Sequence, residues 1–171
     1  MIFTLARFAE AFLMLRAQQG GLPIAWTPLV LVAMNLVYAV WAYPFGRLAD
    51  RVSRHALLAL GLGVLVVADL VLARADSWGS ALFGVGLWGL HLGITQGLLS
   101  VLIADAAPGE LRGTAFGIFA LLTGVTMLVA SALAGFLWDR FGAATTFHAG
   151  ALFCLLALAV LLIQRRRAMR R

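Results

Sequence analysis

Glu10, Asn35, Asp69, His91, Thr95, Gln96 and His148 are the polar side chains of most chemical interest inside otherwise apolar stretches of this chain. An ionisable group in such a stretch is costly, and it usually faces a bundle interior or a watery path. His91 and Thr95 are four residues apart, one helical turn, so they share a face. That pair could hydrogen-bond a solute or exchange a proton at a cavity; the plainer reading is a histidine donating to a neighbouring helix. Glu10 has Arg7 one turn away, which leaves two readings, a local ion pair or a group on a path. Asn35 is a further candidate for lining such a path. Asp69 stands only five residues before Arg74, so it is expected to approach the headgroups, with a place on a path as the second reading. Gln96 is displaced from the His91 face and suits helix association, and His148 lies near an aqueous end.

Catalytic chemistry finds little support. The chain holds no H-E-x-x-H, no G-x-S-x-G and no phosphate-binding glycine loop. Cys154 is the single cysteine and has no base beside it, so it offers neither a nucleophile nor a disulfide framework. One histidine between glycines, Gly89-Leu90-His91-Leu92-Gly93, is a weak haem signal, and no cluster has metal-ligand spacing. The residues imply no enzyme, no metal and no cofactor.

The remaining charge is concentrated. Gly46-Arg47-Leu48-Ala49-Asp50-Arg51-Val52-Ser53-Arg54-His55 holds three arginines and an aspartate in a short link between two long apolar runs. Of 171 residues, 63% are hydrophobic and 12% charged. Soluble domains carry about twice that charge and far less apolar residue, so the composition predicts a membrane protein. The net charge of +6 arises from 13 basic residues, all arginine, five of them in the tail Gln164–Arg171. That source argues for a membrane flank and against nucleic acid as a partner.

Stepping out from these residues, the apolar runs predict an all-α integral membrane protein. Helical spans are expected at about 2–17, 26–45, 56–73, 78–104, 113–138 and 143–163, followed by a basic tail at 164–171. About 20 apolar residues cross a bilayer core, so the first span is short and the fourth long. No leader precedes the first span as it would in a signal peptide. Pro28 suits a first helical turn, and Asp76 or Ser77 suits an N-cap.

Arginines set the expected orientation. Placing the tail inside also places the links 46–55 and 105–112 inside, which collects nine arginines there. Arg16, Arg74 and Arg140 fall outside, a clear positive-inside bias. The sequence also echoes itself. Gly46-Arg47-Leu48-Ala49-Asp50-Arg51 and Gly135-Phe136-Leu137-Trp138-Asp139-Arg140 both fit G-x-L-x-D-R, with three spans between them. Copies on opposite membrane faces are what two inverted three-helix repeats would produce. In the fourth span Gly86, Gly89, Gly93 and Gly97 line one face and predict close helix packing.

With these motifs in place, the chain resembles the C-terminal half of a major facilitator superfamily transporter, of bacterial type, over essentially its whole length. GRLADRVSRH resembles the loop signature that follows the second helix of each half. VLIADAAPGELRGTAFGIFALLTG, residues 101–124, resembles the fourth-to-fifth helix region, and LAGFLWDRFG resembles the end of the fifth. The resemblance implies a six-helix half-bundle whose first helix is truncated. It implies transport of a small solute by a secondary active carrier, with protons a candidate co-substrate. It assigns Gly46 as the structural glycine of the loop, Asp50 as a conformational latch, and Arg51 and Arg54 as bases that order the loop and meet lipid headgroups. Ser53 and His55 depart from the pattern, where glycine and a strong base are usual. Glu10 to Arg16 resembles the membrane-embedded acidic start of the half. The implied partners are the bilayer and a missing N-terminal half or a second half-transporter. The implied location is the inner (plasma) membrane, multi-pass, with a cytoplasmic C-terminus. The competing expectation is a non-transporting truncated membrane protein or helix-packing partner.

Overall fold

The structure, a computed structural model, describes Phe8 and residues 10–168. The start of the first expected span, Arg7 as a partner for Glu10, and the tail arginines Arg170 and Arg171 lie outside the described residues. Six helices follow in order: α1 Ala11–Gln19, α2 Pro28–Ala49, α3 Arg54–Ala73, α4 Trp78–Ala106, α5 Arg112–Phe141 and α6 Ala143–Ala168. Short 3-10 turns at Ile24–Trp26 and Gly109–Leu111 precede α2 and α5. Five helices, α2 to α6, are long and apolar enough to cross a membrane. Among the described residues there is no strand.

Local chemistry explains where the helices stop and start. Pro28 opens α2, where its missing N–H costs nothing. Ser53 caps α3 by accepting from the Ala56 N–H at 3.3 Å. Ser77, not Asp76, caps α4, and it forms a reciprocal capping box with Ser80. Gly142 (φ 84°) alone separates α5 from α6, a left-handed backbone that favours glycine.

The charged link is shorter than the sequence suggests. Gly46 to Ala49 continue α2, and Arg54 and His55 already belong to α3, leaving residues 50–53 as the turn. The Arg51 and Val52 N–H groups both donate to the Leu48 carbonyl at 3.0 Å, so the last turn of α2 closes on itself. The two copies of G-x-L-x-D-R both fall at helix ends, but the first runs past α2, with Asp50 as its C-cap, whereas Asp139 and Arg140 lie inside α5.

α4 is the central helix and packs most extensively on α2 and α3, while α6 lies along α3. Lipid removes the hydrophobic drive between helices, so close backbone approach and hydrogen bonds must hold them. Against α2, a Cβ on Gly89 would collide with the Met34 carbonyl oxygen. One turn on, a Cβ on Gly93 would lie 3.1 Å from Trp41 Cβ and 3.3 Å from Ala42 N. Gly86 and Gly97 meet nothing within 4 Å, so the expected stripe narrows to its middle pair. The helices diverge on either side of that crossing.

Aromatic rings fill the half of the bundle opposite the 50–53 turn. Phe8 stands edge-on to Trp88 (5.4 Å between centroids) and to Phe147 (5.5 Å), and Phe12 reaches Trp138 at 5.5 Å. At this end Arg16 of α1 donates from Nε to the Leu72 carbonyl (2.7 Å) and from Nη2 to the Ala73 carbonyl (3.1 Å). These are last-turn carbonyls of α3 without an intrahelical partner, and a cation there also complements the helix dipole. The Trp78 N–H donates to the Gly20 carbonyl at 2.9 Å, tying the α1–α2 link to the start of α4.

The α2–α4 crossing makes a direct prediction. Gly89→Ala should destabilise the bundle by about 1–3 kcal/mol through overpacking, seen as an earlier unfolding transition in detergent. Gly86→Ala should leave that transition unchanged or raise it slightly, because a Cβ there meets open space. Equal losses for the two variants would refute this account of the crossing.

Candidate functional site

A cleft of about 230 Å³ opens between α2 and α4 at the end that carries the 50–53 turn. Tyr38, Phe45 and Gly46 line it from α2, Asp50 and Arg54 from its rim, and Gly97 from α4. Its existence follows from the helix crossing. α2 and α4 touch at Gly89 and Gly93 and then part, and the missing side chains of Gly46 and Gly97 widen the gap.

The four residues of the loop signature meet at this cleft in different ways. Gly46 lies within α2, exposed, and nothing comes within 4 Å of where its Cβ would be. Asp50 is the C-cap of α2, is exposed, and has no hydrogen-bond or ion-pair partner among the described residues. Arg51 is exposed as well. Arg54 pairs with Asp105. The pair joins a cation at the N-terminus of α3 to an anion in the last turn of α4, so each charge opposes its own helix dipole and is offset by the other. With side chains 42% and 54% exposed, the pair contributes less than about 1 kcal/mol. Arg47 lies over the Tyr43 ring, 5.8 Å from its centroid. Asp105 and Ser53 also belong to this end of the bundle; the N-cap role of Ser53 was signalled by its place just before an apolar run.

The candidate path residues are distributed. His91 and Thr95 are fully buried between α4 and α3. His91 Nδ1 lies 2.7 Å from the Gly61 carbonyl oxygen. A carbonyl only accepts, so Nδ1 carries the proton and donates. The Thr95 hydroxyl donates to the His91 carbonyl at 2.9 Å, and its methyl occupies the space that a Cβ on Gly61 would need. Asn35 is exposed on α2 and donates to the Leu31 carbonyl of its own helix at 2.8 Å. It sits on an open face with Val32, Leu36 and Val40. Glu10 is half-buried at the N-cap of α1. Gln96 and His148 are exposed. No two of Glu10, Asn35 and the His91–Thr95 pair are in hydrogen-bond contact.

Asp69 differs from the expectation that it approaches the headgroups. It is fully buried, turned towards α6, and neither carboxyl oxygen meets a hydrogen-bond partner. Five residues from Arg74 did not bring it to the surface because α6 and the Phe8 ring cover that face of α3. Among the described residues no three His, Cys, Asp or Glu side chains come together as metal ligands.

Comparison with known proteins gives this arrangement its context. The family model for the Major Facilitator Superfamily matches residues 3–171. An uncharacterised MFS-type transporter of Methanocaldococcus jannaschii is 29% identical over 167 residues, covering 94% of this chain and 42% of the relative. An uncharacterised MFS-type transporter of Mycobacterium tuberculosis is 29% identical over 139 residues, covering 81% of this chain and 24% of the relative. The inner membrane transport protein YajR of Escherichia coli is 28% identical over 108 residues, covering 63% and 23%. The chain thus spans less than half the length of these relatives.

Two experiments separate the roles of charge and seam. Exchanging the partners, Arg54→Asp with Asp105→Arg, should restore the unfolding midpoint lost in either single variant; a double variant no better than the singles would show that the pair does not act. His91→Ala should lower stability by about 1–3 kcal/mol, since it removes a buried hydrogen bond between helices and leaves a cavity where the imidazole was packed. An unchanged unfolding midpoint would exclude His91 as a tie between α3 and α4.

Proposed function

Because the chain belongs to the major facilitator superfamily, a family of secondary transporters and not of enzymes, we propose that it is the C-terminal six-helix half of a carrier for a small solute. The observation that carries this reading is the set of open helix faces. α5 runs for 30 residues yet buries only Ala130 and Ala134. Leu121, Val125 and Leu128 along it are exposed, and nothing lies within 4 Å of a Cβ on Gly113, Gly117 or Gly124. α2 likewise buries only Val30 and Met34. Small residues on a helix in lipid suit close approach by another helix. A second six-helix unit, the N-terminal half or another half-transporter, would take up these faces and form the opposite wall of a solute path.

In this reading the six helices are two inverted three-helix repeats, α1 to α3 and α4 to α6, related by the G-x-L-x-D-R echo. The arginine bias places the C-terminus and the 50–53 turn in the cytoplasm, with the protein in the inner (plasma) membrane. Asp50, exposed at the mouth of the cleft and without a partner in its own half, is the latch residue towards the other half. Gly46 keeps the mouth open, and Arg51 and Arg54 order the turn. Glu10 and Asn35 face the path, and His91 and Thr95 join it in a state where α3 and α4 part at Gly61. Protons are the candidate coupling ion.

The test is reconstitution. Vesicles holding this chain together with an N-terminal half should take up a member of a panel of labelled small solutes, and vesicles holding either half alone should not. Asp50→Asn should lower that uptake roughly tenfold, corresponding to about 1.4 kcal/mol at the rate-limiting step, with membrane insertion unchanged. Equal uptake by this chain alone would overturn the half-carrier reading. Full uptake and unaltered crosslinking between the two halves in Asp50→Asn would remove Asp50 as the latch.

A further inference from the structure

The α3–α6 seam holds a charge-bearing group that the transport reading does not use. Asp69 has no exposed surface, and neither carboxyl oxygen has a hydrogen-bond partner. Opposite it, α6 presents Gly150, where a Cβ would lie 2.8 Å from Asp69 Oδ2 and 2.9 Å from Phe8 Cε1. The carboxyl is therefore sealed between a bare stretch of helix backbone and an aromatic ring. Trp88 of α4 closes the cluster behind Phe8.

Among the described residues, the groups on the surrounding helices offer no counter-charge. From α6, Cys154 is buried one turn beyond Gly150, and His148 is exposed. From α1, Arg16 is spent on the Leu72 and Ala73 carbonyls and on Gln19, and Glu10 is half-buried at the helix start. From α4, His91 donates to Gly61, two turns away along α3, and Asp105 pairs with Arg54 at the far end. An isolated ionised carboxylate in an apolar interior costs several kcal/mol even after relaxation, far more than a neutral acid.

We propose that Asp69 is a proton-binding site in the α3–α6 seam, holding a proton while the seam is packed and releasing it when α6 separates from α3. The step balances simply: the Asp69 O–H bond breaks, the proton goes to water entering the seam, and the carboxylate is hydrated. Gly150 is what makes the site possible, since any side chain there would displace the carboxyl. The inference concerns a seam away from the α2–α4 cleft, so it stands whether or not the chain is a carrier half.

Infrared spectroscopy of the full chain in lipid nanodiscs, with carboxyl-labelled aspartate, reads the protonation state directly. At neutral pH the wild type should show the band of a protonated aspartic acid. Asp69→Asn should lose the band, and Cys154→Ala should keep it. Reversible unfolding in mixed micelles gives a second readout. A proton held by the packed state stabilises it fully at low pH, and that stabilisation is lost as pH rises above the ordinary carboxyl range. The wild-type unfolding constant should therefore rise by up to tenfold per pH unit above about pH 5, the limit for one proton, and the Asp69→Asn constant should stay flat. Absence of the band in the wild type, its persistence in Asp69→Asn, or the same pH slope in both proteins would overturn the proposal. The wild-type spectrum decides the matter even if Asp69→Asn fails to fold.

Discussion

Eight residues of α4 hold two other helices and the Phe8 ring, and the rest of the bundle depends on that contact. Gly89 and Gly93, one turn apart, let α4 settle on the Met34–Ala42 stretch of α2. His91 and Thr95 are offset from them by two residues, close to half a turn, and meet Gly61 of α3 on the other side. Trp88 points between these faces to Phe8 ahead of α1. In lipid, apolar side chains gain nothing by leaving the acyl chains for one another, so packing distance and hydrogen bonds decide the arrangement. A stripe of glycine on one side and a donor paired with a glycine carbonyl on the other supply both. The consequence is a helix that buries eleven residues while α2 and α5 bury two each.

That imbalance organises the molecule. α3 lies between α4 and α6 and packs along both. α2 and α5 turn long apolar faces outward. A lone α-helix satisfies its own backbone in lipid, so such faces do not threaten the fold. They do leave glycines with nothing to approach, and nothing lies within 4 Å of a Cβ on Gly113, Gly117 or Gly124. The cleft at Gly46 and Gly97 has the same origin, as a gap between helices that cross once and diverge.

Much of this was legible in the residues. Uninterrupted apolar runs located α2 to α6 to within a few residues, since length and composition alone identify a spanning helix. The ends were less legible because polar residues do not stop a helix. Gly46-Arg47-Leu48-Ala49 reads as a loop, yet its backbone is satisfied by continuing α2 beyond the apolar run. The glycine face of α4 was visible as a spacing of three and four, but which two glycines would touch a neighbour depended on where α2 crosses. Asp105 lies within the 101–124 motif, but its link with Arg54 spans 51 residues of sequence and has no local signal. Asp69 was hidden for a different reason: distance from a charged link measures depth along one helix, and burial there was decided by Gly150, on a helix 81 positions later in register.

The two ends of the bundle are tied by different kinds of bond, and this ranks their freedom to move. At the α1–α2 link, a guanidinium grips two backbone carbonyls, one of them at 2.7 Å, and a main-chain N–H donates across to Gly20. Charged hydrogen bonds of this kind contribute about 1.5–3 kcal/mol each. At the 50–53 turn, the tie between α3 and α4 is a single ion pair between half-exposed side chains, weaker by several-fold and screened by salt. The aromatic cluster adds to the same imbalance, since its rings join α4, α5, α6 and the chain before α1 at the first end. Separation of α2, α3 and α4 therefore costs least where Asp50 and the cleft lie. The end opposite acts as the fixed side of any such motion, and the charged turn stands at the side that can open.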